Sequence, residues 1–245
     1  MKPTIILVHG ATLNGASWAP VRRALEPDFN VLTPDLPGHG ARLNERFTLQ
    51  AAIDTVVAAA KSVAPAPVIL AGDSLGGYTS QAAASHLPRE QLKGLVLGGS
   101  SRDFSGPRLW PHLLKAWLFR LMFAVKDERK LVAEKMPGLL VNEFGLAPAD
   151  VQATMNSGMS LAVFPQAMEA LYKIDFRSMV SAIPQPILFV NGEKDTFHVS
   201  GEASYAGSAQ HATTYRFPDC DHGVSLRRSA EFAELIRQFA LRVLK

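Results

Sequence analysis

The sequence predicts an α/β fold, a mostly parallel central sheet with helices on both faces. Three observations carry this expectation. Short, near-continuous apolar runs alternate with segments of helical period, as expected for strands buried on both faces and joined by helices. The final segment sets Phe232, Leu235, Ile236, Phe239, Ala240 and Val243 at helical spacing, a stripe fit to cover a sheet. A chain of 245 residues, 47% hydrophobic and 19% charged, also has the composition of a globular protein able to bury a substantial core.

The elements follow in order. Thr4–Val8 is the first expected strand and runs into His9-Gly10-Ala11. A helix near Ser17–Leu25, a strand at Asn30–Thr33 and a helix over Leu49–Val63 come next. Val68–Ala71 is the third strand, leading to a helix at Leu75–His86, and Gly94–Gly98 is the fourth. Pro186–Asn191 and Thr213–Phe217 complete the strands. Right-handed crossovers then bring the strand C-termini to one edge. From about Ser101 to Ala182 the pattern is helical without a convincing strand, and Pro107, Pro111, Pro137, Pro148 and Pro165 read as helix starts or breaks. Residues 1–101 and 183–245 are therefore expected to form the core, and 102–182 a helical insertion.

Composition excludes several classes of function. The net charge is +3, and Lys and Arg are scattered with only short pairs such as Arg22-Arg23 and Arg227-Arg228, so no nucleic-acid partner is expected. The single Cys220 excludes an intramolecular disulfide and reads as a buried bystander. His86, His112 and His211 lack metal-ligand spacing, and no metal or cofactor is expected. The apolar stretch Leu109–Val125 carries His112, Lys115 and Arg120 and falls short of a membrane span. Met1-Lys2-Pro3 reaches His9-Gly10 too soon for a signal peptide, so a soluble cytoplasmic protein is expected, monomer or dimer.

The chemistry concentrates in Gly72-Asp73-Ser74-Leu75-Gly76, a G-x-S-x-G pentapeptide between an apolar strand and a small-residue helix. A serine on a sharp strand-to-helix turn needs neighbours without bulk, and the turn pushes its hydroxyl out at a helix N-terminus, where free N–H groups favour negative charge. The N–H groups of Ala11 and Leu75 are expected to form a two-donor pocket for an oxyanion. A serine hydroxyl needs a base, and histidine suits at neutral pH. The imidazole in turn needs a carboxylate to fix its tautomer. Candidates are His222 in Asp221-His222-Gly223 and Asp195 in Asn191-Gly192-Glu193-Lys194-Asp195. Asp103, after the fourth strand, is the second choice of acid. Asp219 and Asp221 suit turn roles, Asp35, His39 and His9 structural ones, and His198 reads as a surface histidine near the pocket.

These pieces, in this order, resemble the α/β-hydrolase superfamily over essentially the whole chain. His9-Gly10, Asp35-Leu36-Pro37-Gly38-His39-Gly40, the serine turn, Gly192-Glu193-Lys194-Asp195 and Asp221-His222-Gly223 carry the resemblance. It implies Ser74 as nucleophile, His222 as base, Asp195 as acid, Ala11 and Leu75 as oxyanion donors, and the helical interval as a cap. Two departures stand out. Asp73 precedes the serine where many esterases of the family have histidine, and the antiparallel strands that open larger members are expected to be missing. A serine at the turn argues against dehalogenase and epoxide hydrolase chemistry, in which that position is aspartate. The expected activity is a carboxylesterase acting on a small to medium apolar ester. A C–C bond hydrolase, a thioesterase, a lactonase or a lyase on the same scaffold, or a ligand-binding carrier, are the alternatives. Trp110, Leu114, Trp117, Met159 and Phe164 are the expected apolar lining of the pocket. Most of the wide apolar face that includes Leu118, Leu121 and Met122 is expected to pack the interval onto the core.

Overall fold

Alternation along the strands sets the architecture. In β1 (Thr4–Val8), Ile6 and Val8 enter one apolar layer while Ile5 and Leu7 enter the other, and all four are fully buried. Such period-two partition with both faces covered belongs to a sheet sandwiched by helices. The computed structural model describes residues 2–104, 110–125 and 127–245, without the side chains of 110–113, 115, 124 and 125. It forms one parallel sheet from β1, β2 (Asn30–Leu32), β3 (Val68–Asp73), β4 (Leu92–Gly98), β5 (Ile187–Gly192) and β6 (Ala212–Phe217). Their order is β2-β1-β3-β4-β5-β6.

Helices α1 (Ala19–Leu25), α2 (Leu49–Ser62) and α3 (Leu75–Ala84) connect the first four strands. Among the described residues, α4 (Trp110–Val125), α5 (Glu128–Asn142), α6 (Pro148–Ser157), α7 (Val163–Leu171) and α8 (Phe176–Ser181) lie between β4 and β5. Then α9 (Thr196–Ser208) joins β5 to β6, and α10 (Val224–Arg227) and α11 (Ser229–Val243) close the chain. One face of the sheet is covered by α2, α3, α7, α8 and α9. The other is covered by α1, α10 and α11, where Phe232, Ile236, Phe239 and Ala240 form the buried stripe of α11.

This topology makes a crevice. β1 lies between β2 and β3, so α1 and α2 leave its neighbourhood on opposite faces of the sheet. The loops after β1 and β3 therefore diverge at adjacent strand ends, Val8 pairing with Gly72. A reversal of strand order is where open α/β sheets bind ligands.

The helical interval has a small apolar core of its own. Val132, Met136, Leu140, Leu146, Val151 and Met159 cluster there, with Leu13 and Leu226 joining from the sheet domain. Polar ties fasten it further. Asn14 Nδ2 donates to the carbonyls of Thr154 and Gly158, both at 2.8 Å, and Arg23 donates both terminal nitrogens to Asp150 at 2.7 and 2.8 Å.

Three details depart from expectation. β6 is an edge strand, paired on one side only by β5, with four consecutive exposed residues, Thr213 to Arg216. Pro137 sits inside α5 and does not end it; the lost backbone hydrogen bond is tolerated where Val132, Met136 and Leu140 hold the helix by burial. Leu114, Trp117, Leu118 and Leu121 form an exposed stripe on α4, 45–55% accessible, and do not pack the interval on the core; Ala116 is buried, at 2%. No helix among the described residues is long and apolar enough to cross a membrane.

Candidate active site

The turn between β3 and α3 is shaped by its glycines. A Cβ on Gly72 would overlap the Gly76 carbonyl, and one on Gly76 the Val8 carbonyl. Only glycine lets α3 start this close to β1 and β3. Ser74 takes φ +55° and ψ −119°, a conformation that non-glycine residues avoid, and stands at the N-terminus of α3. Among the described residues neither the Leu75 N–H, first in α3, nor the Ala11 N–H after β1 meets an acceptor. Gly10 brings the two segments together, since its Cβ position lies 3.5 Å from Ser74 Cβ.

Two other loops converge on this hydroxyl. Ser74 Oγ donates to His222 Nε2 at 2.9 Å, and His222 Nδ1 donates to Asp195 Oδ2 at 2.7 Å. Asp195 is buried as N-cap of α9, and His222 is half-buried on the loop after β6. Gly192 allows the approach of those loops, because a Cβ there would strike the Cys220 and Asp221 carbonyls. Arg227 Nε holds the His222 carbonyl at 2.9 Å.

Electrostatics follows from these partners. Withdrawal from water would lower the His222 pKa, but the hydrogen bond to Asp195 and the charges of Asp73, Asp195 and Asp221 outweigh it, and the net shift is upward. Burial would raise Asp195; the hydrogen bonds from His198 and His222 hold it far below the ordinary carboxylate range. Asp73 is buried beneath the turn. Its Oδ2 accepts from the Ser225 N–H at 3.2 Å and from the Ser225 hydroxyl, while Oδ1 has no partner among the described residues.

His198 is where sequence reasoning went astray. It is not a surface residue: it is 7% exposed, donates Nδ1–H to both oxygens of Asp195 at 3.0 and 2.8 Å, and stacks on His222 with centroids 4.8 Å apart and planes at 17°. A signal was available, since an acid at a helix N-cap commonly engages the residue three positions on. Asp195, His198 and His222 are also the group among the described residues whose donor atoms lie close enough for a metal, within 4.8 Å of one another. Their near-parallel rings do not aim two lone pairs at one point, and both Nδ1 atoms already face the carboxylate.

Other expected residues are placed as follows. His9 and His39 are buried and structural: His9 Nε2 accepts from Leu36 N at 3.0 Å and His39 Nε2 from Thr12 N at 3.2 Å. Burial lowers their pKa values to about 4 and about 3, with His9 adding to the shift of His39. Asp35 accepts from the N–H groups of Gly15 and Ala41 at 2.8 and 2.9 Å, a loop-building role. Asp103 faces Tyr205, whose phenol pKa is raised by burial and by that charge. Asp221 accepts from the His222 N–H at 2.7 Å, and Asp219 pairs with Lys194 at 3.2 Å. Cys220 is buried, and burial raises its thiol pKa. Met159 belongs to the apolar core of the interval and Phe164 lies edge-on to Phe119 at 5.6 Å. The side chain of Trp110 lies outside the described residues. An open groove of about 570 Å³ runs between residues 43–46, α4 and α7, and none of Ser74, Asp195 and His222 lines it.

A family model described as alpha/beta hydrolase family matches residues 5–235. The chain is a member of the alpha/beta hydrolase family. This hydrolase is 26% identical over 249 residues to the pimeloyl-[acyl-carrier protein] methyl ester esterase of Xanthomonas axonopodis pv. citri, covering 98% of this chain and 96% of that protein. In fold it is similar to a thermophilic esterase from Thermogutta terrifontis, with TM-score 0.71 and 21% identity over 98% of this chain and 90% of the other. The enol-lactonase from Burkholderia xenovorans LB400 superposes at TM-score 0.75 with 20% identity, over 98% and 92% of the two chains.

Proposed function

We propose that this hydrolase cleaves carboxylic esters through an acyl-enzyme on Ser74. The observation that carries the reading is the chain of hydrogen bonds from Ser74 Oγ to His222 Nε2, 2.9 Å, and from His222 Nδ1 to Asp195 Oδ2, 2.7 Å. The elbow conformation of Ser74 and the naming of a full-length relative as a methyl ester esterase support it.

In this mechanism Ser74 Oγ attacks the ester carbonyl as its proton passes to His222 Nε2. The carbonyl oxygen becomes an oxyanion between the N–H groups of Ala11 and Leu75, each such donor contributing about 3 kcal/mol to the transition state. His222 then returns the proton to the departing alkoxide. Water, deprotonated by His222, attacks the acyl carbon, and the carboxylic acid departs as Ser74 Oγ takes that proton back from His222. Asp195 stays ionised, keeps the Nδ1–H tautomer and offsets the imidazolium charge. The interval over residues 102–182 acts as a cap, and the substrate is a small to medium carboxylic ester, in keeping with the methyl ester esterase relative.

The test uses a fluorophosphonate probe and a chromogenic short-chain ester. Wild type is expected to label at Ser74 and turn over the ester. Ser74→Ala should lose labelling and about 10⁴-fold or more in kcat while unfolding at an unchanged temperature. Ester turnover retained in Ser74→Ala defeats the reading. An unlabelled wild type that binds esters without cleaving them assigns the fold to ligand recognition instead.

A further inference from the structure

The proposed mechanism leaves one buried imidazole without a task. His198 occupies the third position of α9 and its side chain is held from every direction. Its Nδ1–H meets Asp195, its face meets the His222 ring, and Phe197 and Tyr78 pack around it with centroids at 4.9 and 6.4 Å. Its carbonyl accepts from Ser101 Oγ at 3.0 Å, and that hydroxyl accepts from Asn191 Nδ2 at 3.1 Å. Asn191 is itself tied to Glu202, which pairs with Arg216. Packing alone would place an apolar ring here. The imidazole instead sends its one donor to a carboxylate that already serves another histidine.

Building on the esterase reading, we infer that His198 is a positioning residue: it locks the Asp195 carboxylate and takes up part of its charge before that charge reaches His222. One carboxylate that accepts from two N–H groups is a weaker partner for each of them. His222 faces Asp195, Asp73, Asp221 and Ser74, and Arg227 holds its carbonyl. Three acids at this distance favour an imidazolium that cannot act as a base. By occupying Oδ1 and sharing Oδ2, His198 moderates that bias. His198 itself faces Asp195, His222 and Tyr78, with Asp73 further away. Burial lowers its own pKa against the pull of Asp195, so it stays neutral while His222 carries the proton from Ser74. A second imidazolium stacked at 4.8 Å is thereby avoided.

The experiment compares wild type, His198→Phe and His198→Gln. The first keeps a flat ring and deletes the donor; the second keeps a donor and deletes the ring. For His198→Phe the acidic limb of the kcat/KM profile should move to higher pH by about half a unit or more. Its kcat should fall about 10-fold with KM nearly unchanged. His198→Gln should restore both values toward wild type. With ¹⁵N-histidine labelling, wild-type protein at neutral pH should show hydrogen-bonded Nδ1–H protons on His198 and His222 beside those of His9 and His39, and His198→Phe should lose that of His198 alone. An unshifted limb in folded His198→Phe, equal losses in both variants, or an Nε2–H tautomer for His198 in wild type each overturns the inference. Failure of the esterase reading is separate and shows as turnover that survives Ser74→Ala.

Discussion

Asp73 lies beneath the turn and is one of the charges that raise the pKa of His222. Its Oδ1 has no hydrogen-bond partner among the described residues and converges with the His222 imidazole on Gly99, whose Cβ position lies 2.8 Å from His222 Cε1 and 3.3 Å from that oxygen. In the proposed mechanism His222 acts as a base only when neutral, and its raised pKa predicts that activity falls on acidification from a point above the ordinary histidine value. Replacing Asp73 by Asn removes one of the charges that raise it. The acidic limb of kcat/KM for Asp73→Asn should therefore move to lower pH, on the order of half a unit, the opposite of the shift expected for His198→Phe. A pH–rate profile of the purified variant checks the sign. Asp73 was conspicuous in the sequence because it departs from the histidine common at that position. Ser74 and His222 were legible because the pentapeptide and Asp221-His222-Gly223 are local patterns. The N-cap spacing signalled that Asp195 would engage residue 198, but not that the His198 ring is buried, because that depends on the elements packed over it, here α3 and the His222 loop.

Elements were legible where periodicity is enforced from both sides. Each of the six strands appears within a few residues of its expected place, and Gly76 and Gly192 mark approaches that no larger residue permits. The interval between β4 and β5 was less legible. Three of its helices, α6, α7 and α8, are short, α5 contains Pro137, and apolar stripes on such segments look alike whether they face a core or solvent. What fastens the interval is polar and specific. Asn14 is fully buried, and its side chain reaches the end of α6 at two carbonyls. Asn14→Ala would deprive the buried Thr154 carbonyl of this donor and leave the Gly158 carbonyl with the Gly40 N–H, at a cost of about 2 kcal/mol. The loss should be local. Amides of α6 should exchange with deuterium faster in the variant, while those of β3 and β4 keep their protection. Uniform acceleration across the sheet would instead mean that α6 and the core unfold as one unit.

At the scale of the whole molecule, buried histidines link folding to pH. His9 and His39 have pKa values of about 4 and about 3 in the fold, and an unfolded chain takes up the proton near 6.5. The unfolded state thus binds protons first as pH falls. The stability from keeping these rings neutral is complete above about pH 6.5 and drains away down to their folded values, about 2 kcal/mol from each by pH 5. His198, lowered by burial, acts in the same sense, and His222, raised, in the opposite one. Urea unfolding at pH 8 and pH 5 should show the smaller free energy at pH 5, with much of the difference removed in a folded His39→Asn variant. The insertion between β4 and β5 carries a further consequence, for the order of assembly. β1 pairs β2 and β3 pairs β4 across single crossovers, and β1 meets β3 across residues 9 to 67, whereas Gly98 meets Val190 only after the longer stretch from 99 to 186 has been gathered in. Closing so long a loop is slow relative to local pairing. Ser74 comes from the early strands, and Asp195 and His222 come from the late ones. In the proposed mechanism a refolding chain would therefore form the Ser74 turn before the groups that activate it, and would be inert until β5 and β6 dock.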